Sequence, residues 1–169
     1  RMNSISVQNM MELQNNNYNI LASQMLPVFL YNTNEAALTP EAGTYLNAIK
    51  KWDFDAGPHS VGQTIYQFWL DSLQRNIWSD ELGKTGVKVP VPEEQTLMEL
   101  LKIDSTALGF VDNRNTPQAE TLRNQVTASL NGAAAKLAQS EKEGRLEWAS
   151  FKEPAIYHLL KANLPSFAR

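Results

Sequence analysis

The stretch that decides the fold is SVGQTIYQFWLDSLQRNI, residues 60–77. It opens with Ser60, a residue type that commonly caps helix N-termini. Apolar side chains then recur at steps of three and four residues, which places them on one face of a helix. They are Val61, Ile65, Phe68, Trp69, Leu73 and Ile77. We therefore predict a long amphipathic helix here, whose apolar face needs other segments of the chain to cover it.

Before this helix, the chain carries two further sets of helix signals. Ser6 is a candidate N-cap, and apolar residues follow it at helical spacing, interrupted by a polar patch at residues 14–17. Pro27 should end or kink that helix, because proline lacks the amide hydrogen and clashes with the preceding turn. Thr39 and Pro40 combine a cap residue with a proline at the first helical position. We predict helices over residues 7–31 and 40–52.

After the helix, the stretch from Gly83 to Pro92 holds too much glycine and proline for a helix and predicts an extended loop. Thr116 and Pro117 repeat the pairing of cap and proline, and Gly144 is a typical helix stop. We predict helices over residues 61–78, 92–102 and 117–143, and an irregular tail over 144–169 with one helical turn at 156–160. The prediction is a mainly α class, with residues 1–169 as a single helical domain or fragment.

Composition excludes several classes of function. The 169 residues are 43% hydrophobic and 20% charged, which is ordinary for a globular protein. A net charge of −3 lacks the excess of basic residues that is typical of nucleic-acid-binding proteins. The sequence has no cysteine, which removes disulfides and thiolate chemistry, and it has no run of 18 apolar residues that would predict a membrane span.

Residues able to carry chemistry are few and poorly grouped. His59 and His158 stand in neither HxH nor HxxxH spacing, so we interpret them as structural or surface histidines rather than metal ligands. Asp53 and Asp55 could bind a cation or shape a turn, and we favour the turn. The other acidic pairs are typical of helix starts or solvated faces. They are Asp80/Glu81, Glu93/Glu94 and Glu141/Glu143.

Two motifs, a phosphate-binding loop and a serine-nucleophile elbow, are not present in complete form. Gly83-Lys84-Thr85 looks like the end of a phosphate loop, but Trp78 stands where that loop needs glycine. No serine lies in a Gly-x-Ser-x-Gly elbow. Four tryptophans could line a groove, although their places on helix stripes favour core packing. They are Trp52, Trp69, Trp78 and Trp148. From the residues alone we assign no catalytic, cofactor-binding or metal-binding residue.

Short motifs in a fixed order nevertheless carry a resemblance. Residues 6–14 read SVQNMMELQ, residues 48–53 read AIKKWD, and residues 151–159 read FKEPAIYHL. Between them lie the long amphipathic helix and an alanine-rich helix. Their order and spacing resemble the β-chain of the penicillin acylase (penicillin amidase) family of N-terminal-nucleophile hydrolases, over nearly the whole chain.

The resemblance implies a helical internal fragment of a longer parent protein, an α+β four-layer αββα amide hydrolase. Such a precursor cuts itself and exposes a serine, whose own amino group activates it to attack a linear amide and form an acyl-enzyme. The family's nucleophile, its oxyanion-stabilising residues and the calcium site of some relatives lie outside the matched stretch, so none is carried onto this chain. We expect the fragment alone to be inactive and to need no cofactor, and its parent to be periplasmic or extracellular.

This interpretation also predicts partners. They are the remainder of the parent's α- and β-chains and a small-molecule amide substrate. Without those chains, apolar surface in the tail should be exposed or used in self-association. We expect it at Phe151, Ile156, Leu160 and Phe167. Two alternatives stay open: a free-standing helical binding module with an aromatic groove, and a parent that has lost activity, to which Asn16 in place of the family's acid would point.

Overall fold

The computed structural model describes residues 4–83, 89–103 and 109–153. Its helices are α1 (Val7–Gln14), α2 (Ile20–Tyr31), α3 (Pro40–Ile49), α4 (Val61–Leu82), α5 (Glu94–Ile103), α6 (Leu122–Lys142) and α7 (Trp148–Lys152), with a 3₁₀ turn at Glu35–Ala37. The described residues contain no β-strand, and an isolated antiparallel bridge joins Tyr18 to Asp55. The predicted mainly α class is confirmed for this part of the chain.

The core forms where α4 meets α6, α3 and α2. Trp69 of α4 is fully buried, and its indole Nε1 donates to the carbonyl oxygen of Val126 on α6 at 3.0 Å. Its ring lies 5.1 Å from that of Phe29 on α2. The predicted apolar stripe is confirmed, with its edges at Val61 and Phe68 partly buried. The stripe residues Ile65, Trp69, Leu73 and Ile77 are at most 1% exposed.

Local start and stop signals are confirmed. In three predicted caps the hydroxyl oxygen accepts from the backbone N–H three residues on: Ser6 from Asn9 at 3.1 Å, Thr39 from Ala42 at 3.2 Å and Ser60 from Gln63 at 3.2 Å. Pro40 stands at the first position of α3. Gly144, at φ +69°, follows the end of α6 in the left-handed conformation that favours glycine.

The prediction of one helix over residues 7–31 is wrong, because α1 and α2 are separate. At the break, the backbone of Tyr18 pairs with Asp55, and the N–H of Asn19 donates to the carbonyl oxygen of Phe54 at 2.8 Å. Asn19 then caps α2, and its side-chain amide donates to Gln63 at 2.8 Å. Pro27 does not end the helix, which continues to Tyr31. Contacts with a distant loop, rather than proline, therefore divide this segment.

The predicted start of α6 at residue 117 is also wrong. The hydroxyl of Thr116 bonds within its own loop, to the carboxylate of Glu120 at 2.6 Å and the carbonyl of Asn113 at 3.0 Å, and caps no helix. Thr121 is the cap, accepting from the N–H of Asn124 at 3.3 Å, while the Asn124 side chain accepts from the N–H of Thr121 at 2.9 Å. This reciprocal capping box satisfies two of the N–H groups that the start of α6 leaves without intrahelical partners.

Other helix ends differ by a few residues from the predicted ones. α3 ends at Ile49, because the following residues form a turn. In this turn the N–H of Trp52 donates to the carbonyl oxygen of Ile49 at 3.1 Å. α4 runs on to Leu82, α5 starts at Glu94, and α7 lies inside the tail predicted to be irregular. The turn predicted at 156–160 falls outside the described residues, and the single-domain assignment of residues 1–169 stays a prediction.

Within the described ranges, every helix is too short or too polar to traverse a bilayer.

Candidate functional site

The loop between α3 and α4 uses its acids to build a turn. The N–H of Asp55 donates to Asp53 Oδ1 at 3.1 Å, and the N–H of Gly57 donates to Asp55 Oδ2 at 3.1 Å. Trp52 Nε1 closes the loop by donating to the carbonyl of Asp55 at 2.8 Å. Both carboxylates accept from backbone donors, as the turn interpretation predicted.

His59 joins this loop to α7. Its side chain is 86% exposed, and its Nδ1 lies 2.8 Å from a carboxylate oxygen of Glu147. Backbone hydrogen bonds also join the two segments. The N–H of Ala149 donates to the carbonyl oxygen of Pro58 at 2.9 Å, and the N–H of Trp148 donates to the carbonyl oxygen of Ser60 at 3.2 Å. His59 is thus a surface histidine, as predicted, whereas His158 falls outside the described residues.

Among the described residues, no group of three His, Asp or Glu side chains is placed to hold a metal ion.

The tryptophans mostly pack in the interior. Trp69 is fully buried, and Trp78 is 9% exposed and stacked on Phe110, with ring centroids 5.3 Å apart. Trp52 and Trp148 are half-buried, and Lys152 Nζ lies 4.8 Å from the ring centre of Trp148. The core-packing interpretation is therefore confirmed for Trp69 and Trp78.

Of the acids predicted at helix starts or solvated faces, Asp80 lies in the interior instead, and Glu94 lies at a helix start but is half-buried. Asp80 on α4 is 4% exposed, and one of its oxygens accepts from the backbone N–H of Arg114 at 2.9 Å. Glu94 does lie in the first turn of α5, yet its half-buried carboxylate accepts from the hydroxyl of Tyr66, which is fully buried on α4. Neither position is visible in the sequence, because both depend on contacts between distant segments.

Burial sets the protonation of the Tyr66–Glu94 pair. Removal from water raises the pKa of the Glu94 carboxyl, and the hydrogen bond from Tyr66 opposes that rise. Burial also raises the pKa of Tyr66 far above its usual range, and the neighbouring carboxylate adds to this. Tyr66 is therefore a neutral donor at every physiological pH, and we assign the pair a structural role in joining α5 to α4.

A similar bond links α3 to α6. The hydroxyl of Tyr45 donates to Glu141 at 2.8 Å, and burial together with this carboxylate raises the pKa of Tyr45 to about 12. A tyrosine held neutral in this way is a poor general base and serves as a fixed donor.

The fold does not support a phosphate loop at Gly83-Lys84-Thr85. Gly83 directly follows helix α4, whereas a phosphate loop follows a β-strand. Lys84 and Thr85 fall outside the described residues.

Exposed apolar side chains of the described residues gather around α1, whereas most of the tail residues predicted to be exposed lie outside the described ranges. Phe151 is half-buried against Phe68, with ring centroids 4.9 Å apart, while the other three predicted tail residues lie outside the described ranges. Around α1, in contrast, five large apolar side chains are 43–79% exposed, and no residue of α1 is buried. We call this surface the α1 face; it consists of Ile5, Val7, Met10, Met11 and Leu13.

Comparison with known proteins gives one match. The penicillin amidase family matches residues 1–169, the whole chain. The chain belongs to the penicillin amidase family. No curated protein and no solved structure matches it. The predicted membership is therefore confirmed.

Within this penicillin amidase chain, the described polar side chains serve mainly structural bonds. Ser60 caps α4 and its hydroxyl donates to the carbonyl of Asp55 at 2.6 Å, while His59 bonds a carboxylate rather than a hydroxyl. A serine nucleophile needs an adjacent base within hydrogen-bond reach. His59 and Ser60 are neighbours in sequence but do not form such a pair in the structure.

Proposed function

We propose that this chain is a helical scaffold of a penicillin amidase-type amide hydrolase and that the reacting groups come from other parts of the parent protein. The observation that carries the proposal is the family match over the full 169 residues, joined to a described fold whose polar groups close turns and join helices. In this account the buried α3–α4–α6 core gives the parent a rigid support.

The parent's chemistry belongs to the same proposal. A serine exposed by self-cleavage attacks the amide carbonyl while its own α-amino group accepts the proton. The tetrahedral oxyanion is stabilised by N–H donors, the amine leaves, and water hydrolyses the acyl-enzyme. The catalytic fold would be the α+β four-layer arrangement, in a periplasmic or extracellular enzyme, with the α- and β-chain remainder as the partners of this scaffold.

The test compares the isolated chain with its parent. We expect the purified 169-residue chain to hydrolyse a panel of chromogenic amides, with aromatic, long-chain and dicarboxylic acyl groups, no faster than buffer. The parent expressed from its complete gene should hydrolyse at least one of them. Hydrolysis by the isolated chain at a rate comparable to the parent would contradict the scaffold role.

A further inference from the structure

A cleft lies between the 3₁₀ turn at Glu35–Ala37 and the first turns of α6. Its volume is about 340 Å³, at the small end of the range for pockets that hold small molecules. Asn34 contributes to the wall on the side of the turn, and Arg123, Asn124 and Ala128 contribute to the wall on α6. Among the described residues that line the cleft, Arg123 is the one that carries a charge.

Hydrogen bonds join the two walls of this cleft. The N–H of Asn34 donates to Thr127 Oγ1 on α6 at 3.0 Å. Asn131, one turn further along α6, holds both sides of the turn's end. Its Oδ1 accepts from the N–H of Thr39 at 2.9 Å, and its Nδ2 donates to the carbonyl oxygen of Ala37 at 3.0 Å. The cleft is therefore formed in advance of any ligand, which reduces the ordering cost of binding.

Donors at the cleft stay available after these bonds are made. The Arg123 guanidinium donates to the carbonyl oxygen of Tyr31 across a long separation of 3.4 Å between Nη2 and that oxygen. Within the described ranges no carboxylate pairs with Arg123, and neither Asn34 Nδ2 nor Asn124 Nδ2 has an acceptor. Arg123 also lies in the first turn of α6, where the helix dipole favours an anion.

We propose that this cleft binds the carboxylate of a small organic acid, held by Arg123 and by the side-chain amides of Asn34 and Asn124. The planar guanidinium matches the geometry of a carboxylate. One positive charge balances a monoanion, whereas a phosphate dianion would leave negative charge uncompensated. Ala37 and Ala128 line the same cleft and offer apolar contact to a short hydrocarbon chain. This binding role is additional to that of a scaffold and does not depend on it.

Titration of the isotopically labelled 169-residue chain with sodium butyrate at neutral pH tests this role. Backbone amide NMR shifts are the readout, and sodium chloride keeps the ionic strength constant. We expect the amides of Asn34, Arg123 and Asn124 to shift and to saturate with a Kd of about 1–10 mM, as suits a ligand of so few atoms. Butyramide, the neutral isostere, should bind at least about tenfold more weakly, because it lacks the charge that Arg123 pairs with.

Two variants and a matched control assign the site. Arg123→Gln removes the charge and should weaken butyrate binding at least about tenfold. Lys136→Gln removes the same charge from an exposed position of α6 about 20 Å further along, beyond the range of screened charges, and should leave the Kd within about twofold. Ala128→Leu keeps the charge but fills the cleft, and the saturable shifts should disappear. Circular dichroism checks that each variant keeps its helices.

Several results would overturn the proposal. Equal shifts with butyrate and butyramide on the unmodified chain would show that the carboxylate is not recognised. Equal weakening in Arg123→Gln and Lys136→Gln would indicate a general charge effect. Undiminished binding in Ala128→Leu, or shifts that gather at amides away from the cleft, would place the ligand elsewhere.

Discussion

Glu94 shows how a single contact can give an acid a role that its sequence position does not reveal. Its position as one of two adjacent acids before an apolar run predicts a helix-start residue, and Glu94 is the first residue of α5. The hydrogen bond from Tyr66 and the half-buried setting come from α4, a separate segment of sequence. Sequence reasoning could find the acid but not its partner, since nothing local marks Tyr66 as the residue it meets.

Glu94 makes the stability of the chain depend on pH in a stated direction. Its carboxyl pKa is raised above the ordinary value of 4.5, so the folded state favours the protonated form. The contribution of Glu94 to the free energy of unfolding should therefore be fully present below that ordinary value and be lost as pH rises through the folded pKa. Glu94→Gln, which keeps an acceptor for Tyr66, should flatten this part of the profile.

Urea denaturation at a series of pH values measures that profile. Glu99→Gln is the matched control, because Glu99 is an exposed acid on the same helix. An identical pH profile for Glu94→Gln and the unmodified chain would contradict the assigned burial of the carboxyl.

Gly62 and Gly43 form a second comparison at the level of single residues. A Cβ on Gly62 would lie 2.2 Å from the ring of Trp52, whereas a Cβ on Gly43 would meet nothing within 4 Å. Gly62→Ala should cost about 1–3 kcal/mol of stability through overpacking. Gly43→Ala should gain about 0.5–1 kcal/mol, since alanine suits a helix interior better than glycine. Thermal unfolding of both variants checks this, and a stabilised Gly62→Ala would show that the Trp52 ring lies elsewhere.

At the scale of helices, sequence predicted best where signals were local. α3 and α4 have their caps and apolar stripes in one continuous stretch, and both were located from sequence. The division of residues 7–31 and the late start of α6 depend instead on the pairing of Tyr18 with Asp55 and on the loop bonds of Thr116. Such contacts join distant segments or compete with a cap, so a local pattern does not reveal them.

The cap of α6 gives a direct test at this scale. Thr121→Ala should cost about 1 kcal/mol, because the N–H of Asn124 loses its acceptor, while Thr121→Ser keeps the hydroxyl and should stay within about 0.5 kcal/mol of the unmodified chain. Urea unfolding measures both. Equal stability of Thr121→Ala and Thr121→Ser would contradict the assigned cap.

At the scale of the whole molecule, the family was identified from the order of short motifs, whereas the site was not. The motifs are spread along the entire chain, which is why family membership could be predicted. Exposed apolar surface was expected in the tail, of which the structure describes Phe151 as half-buried, and the sequence analysis did not predict the exposed side chains of the α1 face. Exposure is a property of the packed molecule, and composition alone does not place it.

The central claim is that this helical chain belongs to a self-processed amide hydrolase. Intact-mass and N-terminal sequence analysis of the parent, expressed from its complete gene, tests it most directly. The account predicts two chains, with this segment inside the one that begins with a newly exposed serine. A single uncut polypeptide would contradict it.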